Sequence, residues 1–338
     1  MRRIFFIAIP VFVLIFSGCS YLKTTLSNGS SLLNVVQGEY YLDNEKYREG
    51  IEAFKKDLKN NPDDPRVHYY LGRFYIAENY PKQSLKHMKK AVELDPSSAD
   101  YHFWLGIVYS ANKMRYSERK SYEKALALDP KHVRSRIYLA HTQLERGYYK
   151  SALKNYSTVL EDWPDEPASL YNSALALHKL RRTKEEKIAW KEYLDFYPSG
   201  PMARRAADHL NYIGDFSYRN HLIGLRTITL RKIQFKPGNS TLTSEDKDTL
   251  NFLGSILRYA SHVSIHIVAY KNKDKKLAEK RAKTIKKYLM GYLENKEFQR
   301  LKVSWFDVPE RIRVGGRTFR QDESVNFITA VSKKRKRK

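Results

Sequence analysis

Residues 65–96 read PRVHYYLGRFYIAENYPKQSLKHMKKAVELDP, and residues 99–130 read ADYHFWLGIVYSANKMRYSERKSYEKALALDP. Slid by 34 positions, they match: Leu71-Gly72 on Leu105-Gly106, Tyr75 on Tyr109, Ala91 on Ala125 and Pro96 on Pro130. The beat extends in both directions, since Pro62, Pro96, Pro130, Pro164 and Pro198 are each 34 residues apart. A fixed period of that length in helically patterned sequence marks stacked helix–turn–helix units. With each proline set at position 32, position 8 reads Gly38, Gly72, Gly106, Ala140 and Ala174. Small residues there let two helices approach closely. Aromatic residues at positions 11 (Tyr41, Tyr75, Tyr109) and 24 (Phe54, Tyr122, Tyr156, Trp190) fill the gaps between helices. Proline at position 32 has a fixed φ and no amide hydrogen, so it stops the second helix.

This pattern closely resembles the tetratricopeptide repeat family. The resemblance implies an all-α solenoid over residues 31–200, five repeats long, with a capping helix in 201–218 built on Met202, Ala206, Leu210 and Ile213. One such hairpin cannot bury its apolar face alone, whereas a stack can, and the stack presents a concave groove. In families of this type positions 5, 9 and 12 point into the groove. Position 5 reads Val35, Tyr69, Phe103, Ile137 and Tyr171, and position 9 reads Glu39, Arg73, Ile107, His141 and Leu175, with Arg134 as a further polar residue nearby. Clamps for a terminal carboxylate carry asparagine and lysine at these positions, and this chain does not. An apolar and aromatic strip suits a helix or an extended segment of another protein. Packing of some of these side chains against one another is the alternative.

At 338 residues the chain has room for two or three domains, and its formal charge is +25. From Arg219 onward there are 29 Lys+Arg against 11 Asp+Glu, so +18 lies in the last third. Such a field attracts anions, or simply keeps a surface solvated. The N-terminus opens with Arg2-Arg3, an apolar run from Ile4 to Phe16, and Ser17-Gly18-Cys19. A basic start, a short apolar stretch and small residues describe an export signal, too short for an ordinary membrane span. Cys19 is the only cysteine. The run resembles a bacterial lipoprotein signal, which implies a signal peptide over residues 1–18, lipidation at Cys19 and a tether over 19–30. Ser20 after the cysteine implies an outer-membrane lipoprotein facing the periplasm. An uncleaved anchor and an ordinary signal peptide are the competing readings. Export makes the basic tail, residues 333–338, either a contact for an anionic surface or a tail without a role, and argues against nucleic acid.

After Tyr218 the 34-residue beat stops. Ile228, Leu230, Ile233 and Phe235 alternate as a strand over 225–235, and Pro237-Gly238-Asn239-Ser240 is a turn. Thr243 with Asp246 starts a helix in capping-box fashion, with Leu250, Leu253, Ile256, Leu257 and Ala260 on one face. Val263, Ile265 and Ile267 predict a second strand, and Leu277, Arg281, Ile285, Tyr288, Leu289 and Tyr292 a second helix face. Strands over 301–308 and 325–331 complete a small α+β sandwich with helices on one sheet face. The order resembles the OmpA-like domain that attaches envelope proteins to peptidoglycan. It is carried by Ile233-Gln234-Phe235-Lys236-Pro237-Gly238 with Leu242, by Val268-Ala269-Tyr270, and by Leu277-Ala278-Glu279-Lys280-Arg281-Ala282 with Tyr288-Leu289. The resemblance implies an OmpA-like domain over 219–332 and a site in which an aspartate and an arginine grip the stem-peptide diamino acid. Arg281 matches the arginine. Asn272 stands where the family has aspartate, and Asp274 where it usually has asparagine. A surface arginine on a basic helix is the alternative for Arg281.

Nothing in the sequence builds a catalytic centre. No cysteine nucleophile, Gly-x-Ser-x-Gly elbow or phosphate loop is present, and Gly315-Gly316 reads as a turn. His68 and His102, at position 4 of adjacent repeats, are expected in the core. His262 and His266 are expected on one strand without a third ligand. No metal, cofactor or catalytic residue is therefore expected. The sequence implies a non-enzymatic scaffold that takes envelope proteins in its groove, possesses an N-terminal lipid anchor in the membrane and reaches peptidoglycan through its last domain. A structural wall tether, with the repeats as spacer, and an OmpA-like fold that binds protein only are the alternatives.

Overall fold

A computed structural model describes residues 33–331. These divide into two compact units, one ending at Ser135 and one beginning at Arg136.

The first unit is helical: α1 (33–43), α2 (Tyr47–Asn60), α3 (Pro65–Ala77), α4 (Pro81–Leu94), α5 (Ala99–Ala111) and α6 (Arg115–Leu128). The second starts in α7 (Val133–Glu145) and continues with α8 (Tyr149–Asp162), α9 (Pro167–Lys179), α10 (Thr183–Phe196) and α11 (Gly200–Tyr212). The 34-residue period is visible in the backbone itself. Each repeat turns at position 15 through a left-handed residue: Glu45 (φ 56°), Asn79 (61°), Lys113 (59°), Gly147 (81°) and Arg181 (58°). Four of these carry a Cβ, so tertiary packing holds them where free residues seldom go. The helices that open the repeats are capped by side chains, Asp64 accepting from the Arg66 amide, Ser98 from Tyr101, and Glu166 from Ala168 and Ser169.

Position 24 is the centre of each hairpin. Phe54, Met88 and Tyr122 in the first unit, and Tyr156 and Trp190 in the second, are all completely buried. Position 8 is tight for the expected reason. A Cβ on Gly106 would lie 2.4 Å from the Tyr122 ring, and one on Gly72 2.7 Å from Met88. Alanine favours a helix over glycine by about 1 kcal/mol, but forcing a methyl into a filled core costs about 1–3 kcal/mol. Gly106→Ala is therefore expected to lower stability by up to about 2 kcal/mol in urea unfolding; a more stable variant would show that Tyr122 can move aside. His68 and His102 are buried as expected, their Nε2 atoms 2.9 Å and 3.1 Å from the carbonyls of Pro62 and Pro96.

The rest of the second unit is a strand-containing domain. A hairpin of β1 (Tyr218–Ile223) and β2 (Arg226–Arg231) replaces the single strand expected over 225–235. The alternation continued past Arg231 because Ile233 and Phe235 are buried, although they lie outside the ladder. After α12 (Ser244–Tyr259) comes the central sheet, ordered β4 (Leu301–Phe306), β3 (Val263–Lys271), β7 (Glu323–Val331). β3 runs parallel to β4 and antiparallel to β7. α13 (Lys275–Met290) connects the parallel pair, with a 3-10 turn at Asn295–Arg300. A second hairpin, β5 (Glu310–Val314) and β6 (Arg317–Gln321), was not expected; Gly315-Gly316 forms its turn, as the sequence implied.

Helices α12 and α13 cover one core with the sheet: Leu250, Leu253, Leu257, Ile285 and Leu289 pack with Ile265, Ile267 and Phe327. The capping box at Thr243 and Asp246 is formed in both directions. Within this unit α11 docks on the first hairpin. Asn211 Nδ2 donates to the Tyr218 carbonyl at 2.7 Å, and Asn220 Nδ2 donates to the Arg204 carbonyl at 2.9 Å and to Asp208 at 2.8 Å. The last repeats, their capping helix and the sheet domain thus belong to one body.

Candidate functional site

The first unit holds Tyr69, Arg73, Phe103 and Ile107. Tyr69 and Phe103 are not open groove residues, being only 9% and 3% exposed. Tyr69 packs on the rings of Tyr70 and Tyr101, the latter on the next opening helix, and Phe103 packs on Trp104, Tyr122 and His132. The surface that remains is made by arginines spread over these rings. The Arg73 guanidinium sits 5.3 Å from Tyr69 and 4.6 Å from Trp104, and its Nη1 bonds Glu39 at 2.9 Å. The Arg134 guanidinium sits 5.0 Å from Phe103 and bonds Asp100 at 2.9 Å. Both ion pairs join equivalent positions of successive repeats, 34 residues apart. The Asp100 carboxyl is held below its usual range, first by the His132 hydrogen bond and also by the Arg134 charge, against the opposing effect of burial. Ile107 is half-buried beside this strip.

In the second unit Ile137, His141, Tyr171 and Leu175 are all half-buried. The ring of His141 lies 3.0 Å from Asn172 Nδ2, and burial pushes its pKa down, so it is a neutral imidazole near pH 7. Tyr171 packs edge-on against Trp190 and Tyr193.

The three wall-binding candidates occupy the sheet domain. Asn272 is tied to the loop before β7, its amide donating to the Asp322 carbonyl at 2.7 Å and its Nδ2 to the Asp322 carboxylate at 3.1 Å. Asp274 caps α13, accepting from the Leu277 amide at 2.9 Å. Arg281 is not a surface arginine. It is 2% exposed, with Nε on the Asn239 carbonyl (2.9 Å), Nη2 on the Lys236 carbonyl (3.3 Å) and Nη1 on Glu323 (2.9 Å), beneath the Phe235 ring at 4.7 Å. It also borders a cavity of about 280 Å³ lined by Lys232, Gln234, Glu323 and Ser324. Burial pushes the Lys232 ammonium below its usual range. Cys19 and the basic tail lie outside the described residues.

Sequence models of the tetratricopeptide repeat match residues 35–99 and 138–201, and a related one matches 99–132. These are tetratricopeptide repeats. The matched models describe a repeat scaffold and indicate no catalytic family. A comparison with curated proteins gave no match. Among solved structures, PilF of Pseudomonas aeruginosa aligns with a TM-score of 0.51 at 16% identity, over 69% of this chain and 93% of its own. PilW, a type IV pilus biogenesis factor, aligns at 0.48 and 15%, over 54% and 86%. MamA aligns at 0.45 and 20%, over 50% and 92%. At these identities the likeness to PilF is one of fold. No helix among the described residues is long and apolar enough to cross a membrane.

Sequence reasoning missed one constellation. No metal was expected, yet His178 on α9, Glu186 on α10 and His209 on α11 bring their ligand atoms within 4.8 Å of one another. His262 precedes β3, while His266 pairs with Ser304 at 2.8 Å, so those two remain apart from any such group. The missed signal was the slot. Glu186 is at position 20, where other repeats carry Gly50, Ser84 and Ala152; the third carries Glu118, which is only half-buried.

Proposed function

We propose that this chain is a non-enzymatic scaffold lipoprotein of the bacterial cell envelope, anchored at Cys19 in the outer membrane, that takes protein partners on its repeats. The observation that carries this reading is the strip of arginines on the first unit. Arg73 and Arg134 are held by carboxylates one repeat away and spread over buried rings. A surface with its side chains already fixed loses little conformational entropy on binding, and aromatic and arginine anchors dominate such interfaces. The partner is a helix or extended segment with apolar and acidic groups. Arg73→Glu combined with Ile107→Asp is expected to abolish cross-linked capture of partners from detergent-solubilised envelopes while leaving the circular dichroism of the chain unchanged. Undiminished capture by that folded variant would refute the strip as the docking surface.

For the sheet domain, the geometry around Arg281 favours the reading in which the OmpA-like fold is kept and the wall ligand is lost. The guanidinium that would meet a ligand carboxylate already meets Glu323. Arg281 therefore serves the fold before any ligand. Co-sedimentation of the chain with isolated peptidoglycan that persists at high salt would overturn this reading, while binding abolished by salt would reflect only the basic field.

A further inference from the structure

The group formed by His178, Glu186 and His209 points to a function that neither the repeats nor the sheet domain requires. Glu186 is 2% exposed. Its Oε1 accepts from Trp190 Nε1 at 3.3 Å and lies 2.8 Å from His178 Nδ1. Among the described residues its only ion-pair partner is that histidine, which is charged only when protonated. A buried carboxylate without a lysine or arginine is costly. His209 completes the group. Its ring stacks on Trp190 (4.9 Å, 10° between planes) and meets His178 edge-on at 5.2 Å, yet it makes no hydrogen bond to any described residue.

We propose that His178, Glu186 and His209 bind a divalent first-row transition-metal ion, zinc by the chemistry of the donors. Two imidazoles and one carboxylate form a set that zinc accepts with one coordination position left over. Metal bonds of about 2.0–2.1 Å put tetrahedral ligand atoms about 3.3 Å apart. The three atoms all lie within 4.8 Å of one another, so no pair has to close by more than about 1.5 Å to reach that spacing. Trp190 orients two of the three groups, fixing the His209 plane by stacking and holding the Glu186 carboxylate by its N–H. His178 is a third exposed, which leaves a path for the ion and for a fourth ligand from water or a docked partner. The ion would join α9, α10 and α11, the last repeat to its capping helix.

The test uses the full chain in detergent, stripped with a chelator and titrated with ZnCl2 by calorimetry and with CoCl2 by visible absorption. One saturable ion per chain is expected, with the intense visible band of four-coordinate Co²⁺ and a raised midpoint of thermal unfolding. His209→Gln should weaken zinc by at least about tenfold, the lower bound seen even for outer-shell groups, and His178→Gln should do the same. Absence of a saturable site in the unmodified chain would overturn the proposal, as would unmodified affinity in either variant. The Co²⁺ spectrum of the unmodified chain keeps the test decisive if a variant fails to fold.

Discussion

Trp190→Ala is expected to destabilise the second unit by about 3–5 kcal/mol, the range for removing a large aromatic from a filled core. Trp190 is among the largest fully buried side chains and packs with Leu170, Leu194, Ala203 and Leu210. Its neighbours cannot close the gap, because Tyr171 abuts one edge at 5.0 Å and His209 lies flat on its face. The variant also removes the indole N–H from Glu186 and leaves a buried carboxylate with one partner fewer. Trp190→Phe keeps most of the packing, so the difference between the variants measures the larger cavity, while its own residual deficit combines the lost N–H with the smaller void. Urea unfolding followed by hydrogen exchange at α9 to α11 reads both. A loss below about 1 kcal/mol for Trp190→Ala would mean that the capping interface collapses onto the void.

Trp190 also shows how far the sequence can be read. Its phase in the 34-residue beat announced a core aromatic, and the same phase announced Phe54, Tyr122 and Tyr156. Periodicity works there because one side-chain direction per repeat is fixed by helix geometry and repeated five times. It failed for Tyr69 and Phe103, which share the phase of the groove but are drawn into packing with neighbouring rings, Tyr69 against Tyr101 of the next opening helix and Phe103 against Tyr122 of its own hairpin. Phase gives direction, not depth. It failed again for His178, Glu186 and His209, which come from three helices and have no common spacing; only the acidic residue in a small-residue slot hinted at them. In the sheet domain, α12 was legible from its cap and its apolar face. Of the hairpins, β2 was legible through Ile228 and Leu230, whereas β1 and β6 were not, since polar and basic residues on short, half-exposed strands leave little alternation to read.

Arg281→Met is expected to cost the sheet domain about 3 kcal/mol. The arginine is nearly inaccessible, and its loss takes the Nε donor from the Asn239 carbonyl and one of two donors from the Lys236 carbonyl, which keeps the Asn239 amide at 3.0 Å, in the turn before α12. Glu323 is less affected, being partly exposed and still paired to Lys271 at 3.0 Å. The pair has a pH signature. Burial pushes the Glu323 carboxyl up, but hydrogen bonds and charge from Arg281 and Lys271 bring it net below its ordinary range. A carboxylate depressed in the fold adds stability above the unfolded value of about 4.3 and loses it as pH falls through the lower folded value. Arg281→Met should therefore flatten the acid limb of a stability–pH profile as well as lower its plateau; an unchanged limb would show that Lys271 alone sets Glu323. Glu323→Gln makes the complementary change. It leaves Arg281 with a weaker acceptor beside a cavity that also holds Lys232, so the net positive charge facing that cavity rises. If the internal carboxylate is what displaced the wall ligand, Glu323→Gln should gain salt-resistant co-sedimentation with peptidoglycan that the unmodified chain lacks. Continued failure to bind would place the obstacle at Asn272, whose amide faces Asp322 and brings no charge to an incoming ammonium.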